Sequence, residues 1–335
     1  MNWFKIITDP TKTTSKITIL QTVYPPISNQ EAIWLKDDAE VEAIFRLSDF
    51  YMIAGRAEAR FLDITFDSVN EALNFQFVIA ESFCDFVTIN IRELPLVANS
   101  NIETFYVETG EKLIRIWDGP IGNSESSVLE WFTTEKLIWD RSRGYRGIKF
   151  FEFYSEAATY DLLYVGIAKV GDSFERLIAN GHKARMDILG NEPQRYPGAR
   201  VTDEIYLFLF EAQPLIMQTF TAEHDFENED FSGNYEHKRI VADAEKAFVS
   251  LLKPEYNVQK FKNYPKSADG LYKSEYERYG YSICEAVSFN TAHGCFSGSR
   301  DPITEMITND GDFIFVEGSE VKFYISGEDF SKKSK

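Results

Sequence analysis

Two phenols, a guanidinium, an imidazole, a carboxylate and an amide follow one another between Gly147 and Asn257: Tyr154, Tyr164, Arg176, His182, Glu245 and Asn257. Phosphodiester hydrolysis calls for such a set: a group to activate water, a cation against the developing negative charge, and help for the leaving oxygen. Taken singly, each has a plainer explanation. A strand tyrosine is usually a core residue with its hydroxyl satisfied, an arginine near a glutamate usually belongs to a solvated helix face, and a histidine after a glycine usually lies in a surface loop. It is the order of the residues and the elements beneath them that give the set meaning.

Ile148–Tyr154 (IKFFEFY) and Asp161–Ala168 (DLLYVGIA) are rich in β-branched and aromatic residues, and the small polar segment Ser155–Thr159 separates them. That pattern predicts a β-hairpin. After Gly171, Asp172-Ser173 offers an N-cap, and Phe174, Leu177 and Ile178 fall at helical spacing with Arg176 off their apolar stripe. Ile205–Phe210 (IYLFLF) reads as a central strand covered on both faces. Ile240, Ala244, Ala247, Phe248, Leu251 and Leu252 mark a second amphipathic helix, stopped by Pro254.

The succession strand, strand, helix, strand, helix carries residues that resemble the GIY-YIG endonucleases. Tyr164-Val165-Gly166 matches the second half of the family motif, and Glu245 with Leu252-Lys253-Pro254-Glu255-Tyr256-Asn257 matches its end. Glu152-Phe153-Tyr154 keeps the tyrosine of the first half but not its glycine, Arg176 comes late, and the spacing to His182 is lengthened. The resemblance spans about a third of the chain and implies an α+β fold: a three-stranded antiparallel sheet flanked by helices. It further implies a metal-dependent endonuclease in which Glu245 holds one divalent metal, expected to be Mg²⁺, and Arg176 binds the scissile phosphate. Mg²⁺ keeps several waters and takes one or two carboxylates, so a single glutamate suffices. Tyr154 would be the general base or proton relay, Tyr164 and His182 would position water and phosphate, and Asn257 would close the site by a hydrogen bond. A free phenol titrates near about 10, so a tyrosine base needs the metal or the arginine to lower it. Gly166 and Lys169 would lie against nucleic acid, expected to be DNA.

The remaining chain suggests an organisation around this core: residues 1–146 as a recognition domain, 147–264 as the nuclease-like domain, and 265–335 as a small β-rich appendage. In the first part Ile17–Leu20, Val87–Ile91, Leu113–Trp117 and Val128–Trp139 read as strands and Asp38–Leu47 as a helix, a composition suited to an α+β or β-rich unit with a possible protein partner. All five tryptophans fall there: Trp3, Trp34, Trp117, Trp131 and Trp139. At its end Arg141, Arg143 and Arg146, interleaved with Tyr145, could grip a phosphate backbone, and a soluble linker explains them equally well. In the last part Tyr279–Phe289 and Asp312–Ile325 read as strands, with a turn at Glu317–Glu320. Cys284, His293 and Cys295 lack a fourth metal ligand at a recognisable spacing and read as structural.

The formal net charge of −18 over 335 residues is unusual for a DNA enzyme. Six acidic residues fall between Glu223 and Glu236, within an inserted segment, 222–237, that reads as a solvated excursion or as a DNA-mimicking flap over the site. Three cysteines cannot build a disulfide framework and point to a reducing compartment. The N-terminus has no long apolar run, and no stretch of about 18 apolar residues occurs, so a cytoplasmic protein without a membrane partner is expected. A nuclease with its own recognition domain suits restriction or phage defence. The other class of reading is a non-catalytic module of the same fold that binds nucleic acid or protein.

Overall fold

The computed structural model describes residues 12–168, 171–225 and 236–326. β1 (Lys12–Thr22) leads through the short β2 (Ile27–Ser28) into α1 (Asn29–Leu35), α2 (Ala39–Phe45) and β3 (Phe50–Gly55). Residues 56–158 then form β4 (Ala59–Asp67), β5 (Ala72–Ile79), β6 (Phe83–Asn90), α3 (Pro95–Asn99), β7 (Tyr106–Thr109), β8 (Leu113–Trp117), β9 (Val128–Thr133), α4 (Thr134–Ser142), β10 (Ile148–Phe150) and α5 (Tyr154–Ala157). The chain returns as β11 (Thr159–Ile167), a π-helical turn at Glu175–Ala179, α6 (Lys183–Asn191), α7 (Val201–Glu204), β12 (Ile205–Phe220) and α8 (His237–Leu252). It closes with β13 (Arg278–Ile283), β14 (Ser288–Thr291), β15 (Gly294–Ser297), β16 (Phe313–Glu317) and β17 (Glu320–Tyr324).

The fold is mixed α+β and mostly sheet. A ten-stranded sheet runs β15-β14-β11-β3-β12-β1-β13-β16-β17, with β2 beside β12 in line with β1. Two smaller sheets, β10-β6-β5-β4 and β7-β8-β9, come from the residues between β3 and β11. The antiparallel trio β11-β3-β12 is therefore the middle of a large sheet and not a free-standing three-stranded core. That sheet also draws strands from each of the three segments expected from the sequence, so the boundaries at 146/147 and 264/265 separate strands that share one sheet.

β3 and the first six residues of β12 are buried on both faces, which is why they read as unbroken apolar runs. On one face Phe50, Met52, Phe208 and Phe210 pack in a core with Ala244 and Phe248 of α8. On the other, Tyr51, Ile53, Leu207 and Leu209 pack with Phe45 of α2 and with Phe174, Leu177 and Ile188. The helices begin where local chemistry allows: Ser28 and Glu31 form a reciprocal capping box on α1, Asp38 caps α2, and Asp172 accepts from the Glu175 amide at 2.8 Å. α8 ends at Lys253 in the left-handed conformation, with Pro254 next.

Two expectations from the sequence are corrected. The run Ile148–Tyr154 does not form a hairpin with Asp161–Ala168: β10 ends at Phe150 and pairs with β6, and Tyr154 opens α5. Phe150 and Phe151 take φ values of 57° and 54°, which turn the chain off the strand, and Asp85 then accepts from the Phe153 amide at 2.9 Å. β11 lies instead between β14 and β3, its antiparallel neighbour from the far side of the 56–158 insertion. Likewise Val128–Trp139 is not one strand, because Thr133 caps α4 by accepting from the Lys136 amide at 3.3 Å. β1 adds a surprise: Lys16 and Thr18 face the core while Ile17 and Ile19 are half-buried. Burial pushes the Lys16 amine down to about 7, and its Nζ lies 5.1 Å from the centre of the Tyr276 ring.

Candidate active site

β3 and β11 run antiparallel with Tyr51 opposite Gly166 and Ile53 opposite Tyr164, after an irregularity between Leu162 and Tyr164. The two phenol rings stack with centroids 6.2 Å apart at 24°. Gly166 makes this possible. A Cβ there would stand 2.6 Å from Tyr164 Cε1 and 2.7 Å from Tyr51 Cζ and Oη, so the third residue of Tyr164-Val165-Gly166 is a packing requirement of the tyrosine pair. Gly166 is buried and serves the rings, not the contact with nucleic acid expected of it.

Arg176 reaches this pair from the π-helical turn. Phe174, Leu177 and Ile178 are buried and Arg176 is exposed, as their helical spacing predicts. Its Nε donates to Tyr51 Oη at 2.9 Å, and its charge also bears on the Tyr164 phenol. His182 caps α6, its Nδ1 accepting from the Arg185 amide at 3.4 Å. With Nδ1 an acceptor, the neutral ring carries its proton on Nε2, which lies 3.1 Å from Tyr51 Oη. Burial, then the charges of Arg176 and Arg185, pushes His182 down to about 4, so the ring is neutral at pH 7. Tyr51 Oη thus accepts from both Arg176 and His182, with the Tyr164 ring stacked beside it.

Burial raises both phenols. For Tyr51 the neighbouring Tyr164 adds to it and Arg176 opposes; for Tyr164 the charge of Glu245 adds to it, with Arg176 and the hydrogen bonds opposing. Glu245, on α8, is therefore the acidic group whose charge bears on both oxygens. Asn257 sits at the edge of β11: its Oδ1 accepts from Val165 N at 2.9 Å and its Nδ2 donates to Val165 O at 2.8 Å. It completes the strand's hydrogen bonding as a neighbouring strand would, so it positions Tyr164 without facing a ligand.

The structure brings together Tyr164, Arg176, His182, Glu245 and, through the strand, Asn257. Comparison with protein-family models, with curated proteins and with solved structures finds no match to this chain. The site therefore has to be argued from its own geometry. Tyr154 does not join it. Its ring packs at 6.4 Å from Phe151, with Arg141 5.3 Å above it, against the other core. The second phenol beside Tyr164 is Tyr51, and Arg185 backs His182 while its own Nε donates to Asn29 Oδ1 at 2.5 Å. Sequence reasoning passed over both; the signal for Tyr51 is a tyrosine inside an otherwise apolar run, Phe50–Gly55.

The expected arginine patch is divided. Arg141 Nε donates to Phe150 O at 3.0 Å, and Arg143 lies 3.9 Å from the Trp139 ring centre, paired with Glu285 at 2.5 Å. Arg146 is exposed. Lys169 and residues 226–235 of the acidic segment lie outside the described residues. Among the described residues no group of three or more His, Cys, Asp or Glu side chains is placed to hold a metal, and the three cysteines are free. No described helix is long and apolar enough to cross a membrane.

Proposed function

We propose that the chain is a metal-dependent endonuclease that hydrolyses phosphodiester bonds of nucleic acid, DNA first, with a role in restriction or phage defence. The observation that supports this reading best is the cluster in which Arg176 donates to Tyr51 and Tyr164 stacks on Tyr51, with the charge of Glu245 bearing on both phenols. Arg176 is exposed, and the described side-chain group it donates to is the Tyr51 phenol. A guanidinium held by neutral partners keeps its charge for an incoming anion, and its planar fork suits phosphate. In a chain of net charge −18, that is a local exception.

Exposure divides the roles. Tyr51 and His182 are buried, so they act through Tyr164 and Arg176 and not on substrate. Tyr164 is partly exposed and is the phenol that can meet a water; when it gives up its proton, the Tyr51 hydroxyl and Arg176 stabilise the oxygen left behind. Among the described residues Glu245 belongs to no group of three or more His, Cys, Asp or Glu side chains, and a single carboxylate fits Mg²⁺ carrying its own waters. A divalent cation on Glu245 would polarise the phosphate and set a positive neighbour beside Tyr164 in place of a negative one. A groove of about 1200 Å³ is lined by Asp161–Leu163 of the same strand and carries Arg195, Lys253, Lys260 and Lys262 alongside Glu192 and Glu255.

The test is cleavage of plasmid DNA in Mg²⁺ by the wild type and by Arg176→Lys. The wild type should cut, and the lysine variant should lose about a hundredfold because it cannot reproduce a planar grip. Full turnover with lysine would move Arg176 to a structural role, and an inactive wild type that still binds DNA would favour the non-catalytic module.

A further inference from the structure

A cleft of about 1030 Å³ lies between α1–α2 on one side and β8, β9 and α4 on the other. None of the groups of the candidate active site lines it. Its volume is at the upper end of small-molecule sites. Tyr24 stacks on Trp131 in its wall with centroids 6.3 Å apart, and Trp34 stands at its mouth on α1. Trp34 is 70% exposed, and Leu96 and Val128 across the cleft are 53% and 38% exposed. An aromatic and aliphatic rim of this kind favours a ligand with an apolar body.

The charge in the cleft has one sign to spare. Eight carboxylate side chains line it against four cationic ones. Of those cations, Lys112 is bound by Glu58 at 2.7 Å and Asp203 at 2.9 Å, and Lys136 by Glu130 at 3.1 Å and Asp140 at 2.5 Å. Arg115 is held by Glu108 at 3.0 Å. Glu135 is tied to Arg56, three of the four lining cations are engaged elsewhere, and the charges that bear on Glu31 of α1 are those of Glu135 and Asp203. A phosphate-bearing ligand would meet this excess unfavourably.

The wall already holds one ammonium by the same chemistry. Lys136 Nζ lies 4.9 Å, 5.1 Å and 5.4 Å from the ring centres of Phe132, Trp131 and Tyr145 while its carboxylate partners neutralise it. Aromatic faces beside carboxylates are the recognised environment for amine and guanidine groups.

We propose that this cleft binds an organic cation with an apolar or aromatic body, an amine or guanidine, between the exposed Trp34 ring and the Glu31 carboxylate. Burial, then the charge of Glu135, pushes the Glu31 carboxyl up to about 7, against the hydrogen bonds from Ser28; Asp203 of α7 adds to the rise. The other titratable or charged groups around it are Asp38 at the start of α2, the neutral Tyr24 phenol, Arg56 on Glu135, Lys112 on Asp203, and Arg200. Raising the pH through about 7 therefore charges Glu31 and should strengthen cation binding.

The probes are phenethylammonium, its neutral analogue 2-phenylethanol and its anionic analogue 3-phenylpropionate. Binding to the full chain is read by calorimetry and by tryptophan fluorescence at pH 6 and pH 8. The ammonium should bind about tenfold tighter than either analogue at pH 8 and weaken several-fold at pH 6. Trp34→Ala, a change at an exposed ring, should lower its affinity about fivefold or more. Glu31→Gln keeps the capping box, since glutamine serves in the same position, and should remove the pH dependence. Equal binding of the three probes, no ammonium binding at millimolar concentration, or an affinity unchanged in both variants would overturn the proposal.

Discussion

Replacing Tyr51 by phenylalanine removes one oxygen and leaves the ring. The packing against Tyr164 and over Gly166 is kept, so no cavity forms, and what is lost is the acceptor for Arg176 at 2.9 Å and for His182 at 3.1 Å. A hydrogen bond from a charged donor contributes about 1.5–3 kcal/mol, which corresponds to about ten- to a hundredfold in rate if it orients Arg176 and Tyr164 in the transition state. His182 is buried, and its Nε2 proton is left without that acceptor, so stability should fall by about 1–3 kcal/mol. Tyr154→Phe is the control. Its described contacts are through the ring, to Phe151 and to Arg141, and phenylalanine keeps them. The assay is plasmid nicking in Mg²⁺ below saturation, with urea unfolding of each variant alongside. Tyr51→Phe should lose at least tenfold in rate while remaining folded, and Tyr154→Phe should stay within about twofold. Equal loss in both variants, or wild-type rates from Tyr51→Phe, would refute the placement of Tyr51 in the site.

Gly166→Ala forces a Cβ to within 2.6–2.7 Å of both phenol rings, so calorimetric unfolding should show a loss of about 1–3 kcal/mol, with activity falling further than stability. Asn257→Ala leaves the buried N–H and C=O of Val165 without partners and should cost about 2–5 kcal/mol in denaturant unfolding; a change under about 0.5 kcal/mol would show that another group replaces the amide. His182 has its folded pKa lowered to about 4 from 6.5, so in that window the unfolded chain binds the extra proton and stability falls as pH drops from about 6.5 to about 4. His182→Asn keeps a cap on α6 and should flatten that part of the stability–pH curve; an unchanged slope would assign it to other groups.

What the sequence made legible was local. Tyr164-Val165-Gly166 lies on a strand, Arg176 projects from a turn whose Phe174, Leu177 and Ile178 are buried, α8 stops before Pro254, and Phe313–Tyr324 forms the hairpin its turn residues announce. What stayed hidden was the partner of β11. Side-chain periodicity reports which face of a strand is buried and carries nothing about which strand lies beside it. The run just before β11, IKFFEFY, has the composition of a strand, while the antiparallel neighbour β3 lies before residues 56–158. Phe150 and Phe151 defeat the local reading because aromatic residues seldom adopt positive φ and nothing in their identity signals it. β1 misleads in the same way. The sheet turns Lys16 and Thr18 inward and leaves the isoleucines Ile17 and Ile19 half-buried.

The central claim is that Glu245 and a divalent cation together cut phosphodiester bonds, and it is tested most directly by incubating supercoiled plasmid with the wild type and with Glu245→Ala, each with Mg²⁺ and with excess chelator. Glu245 lies on the partly exposed side of α8, so the alanine variant should keep its fold, verified by its unfolding curve. The account predicts nicked and linear plasmid from the wild type in Mg²⁺ alone, and intact plasmid from the variant and from both chelated samples. Cleavage by folded Glu245→Ala at the wild-type rate, or by the chelated wild type, would contradict it.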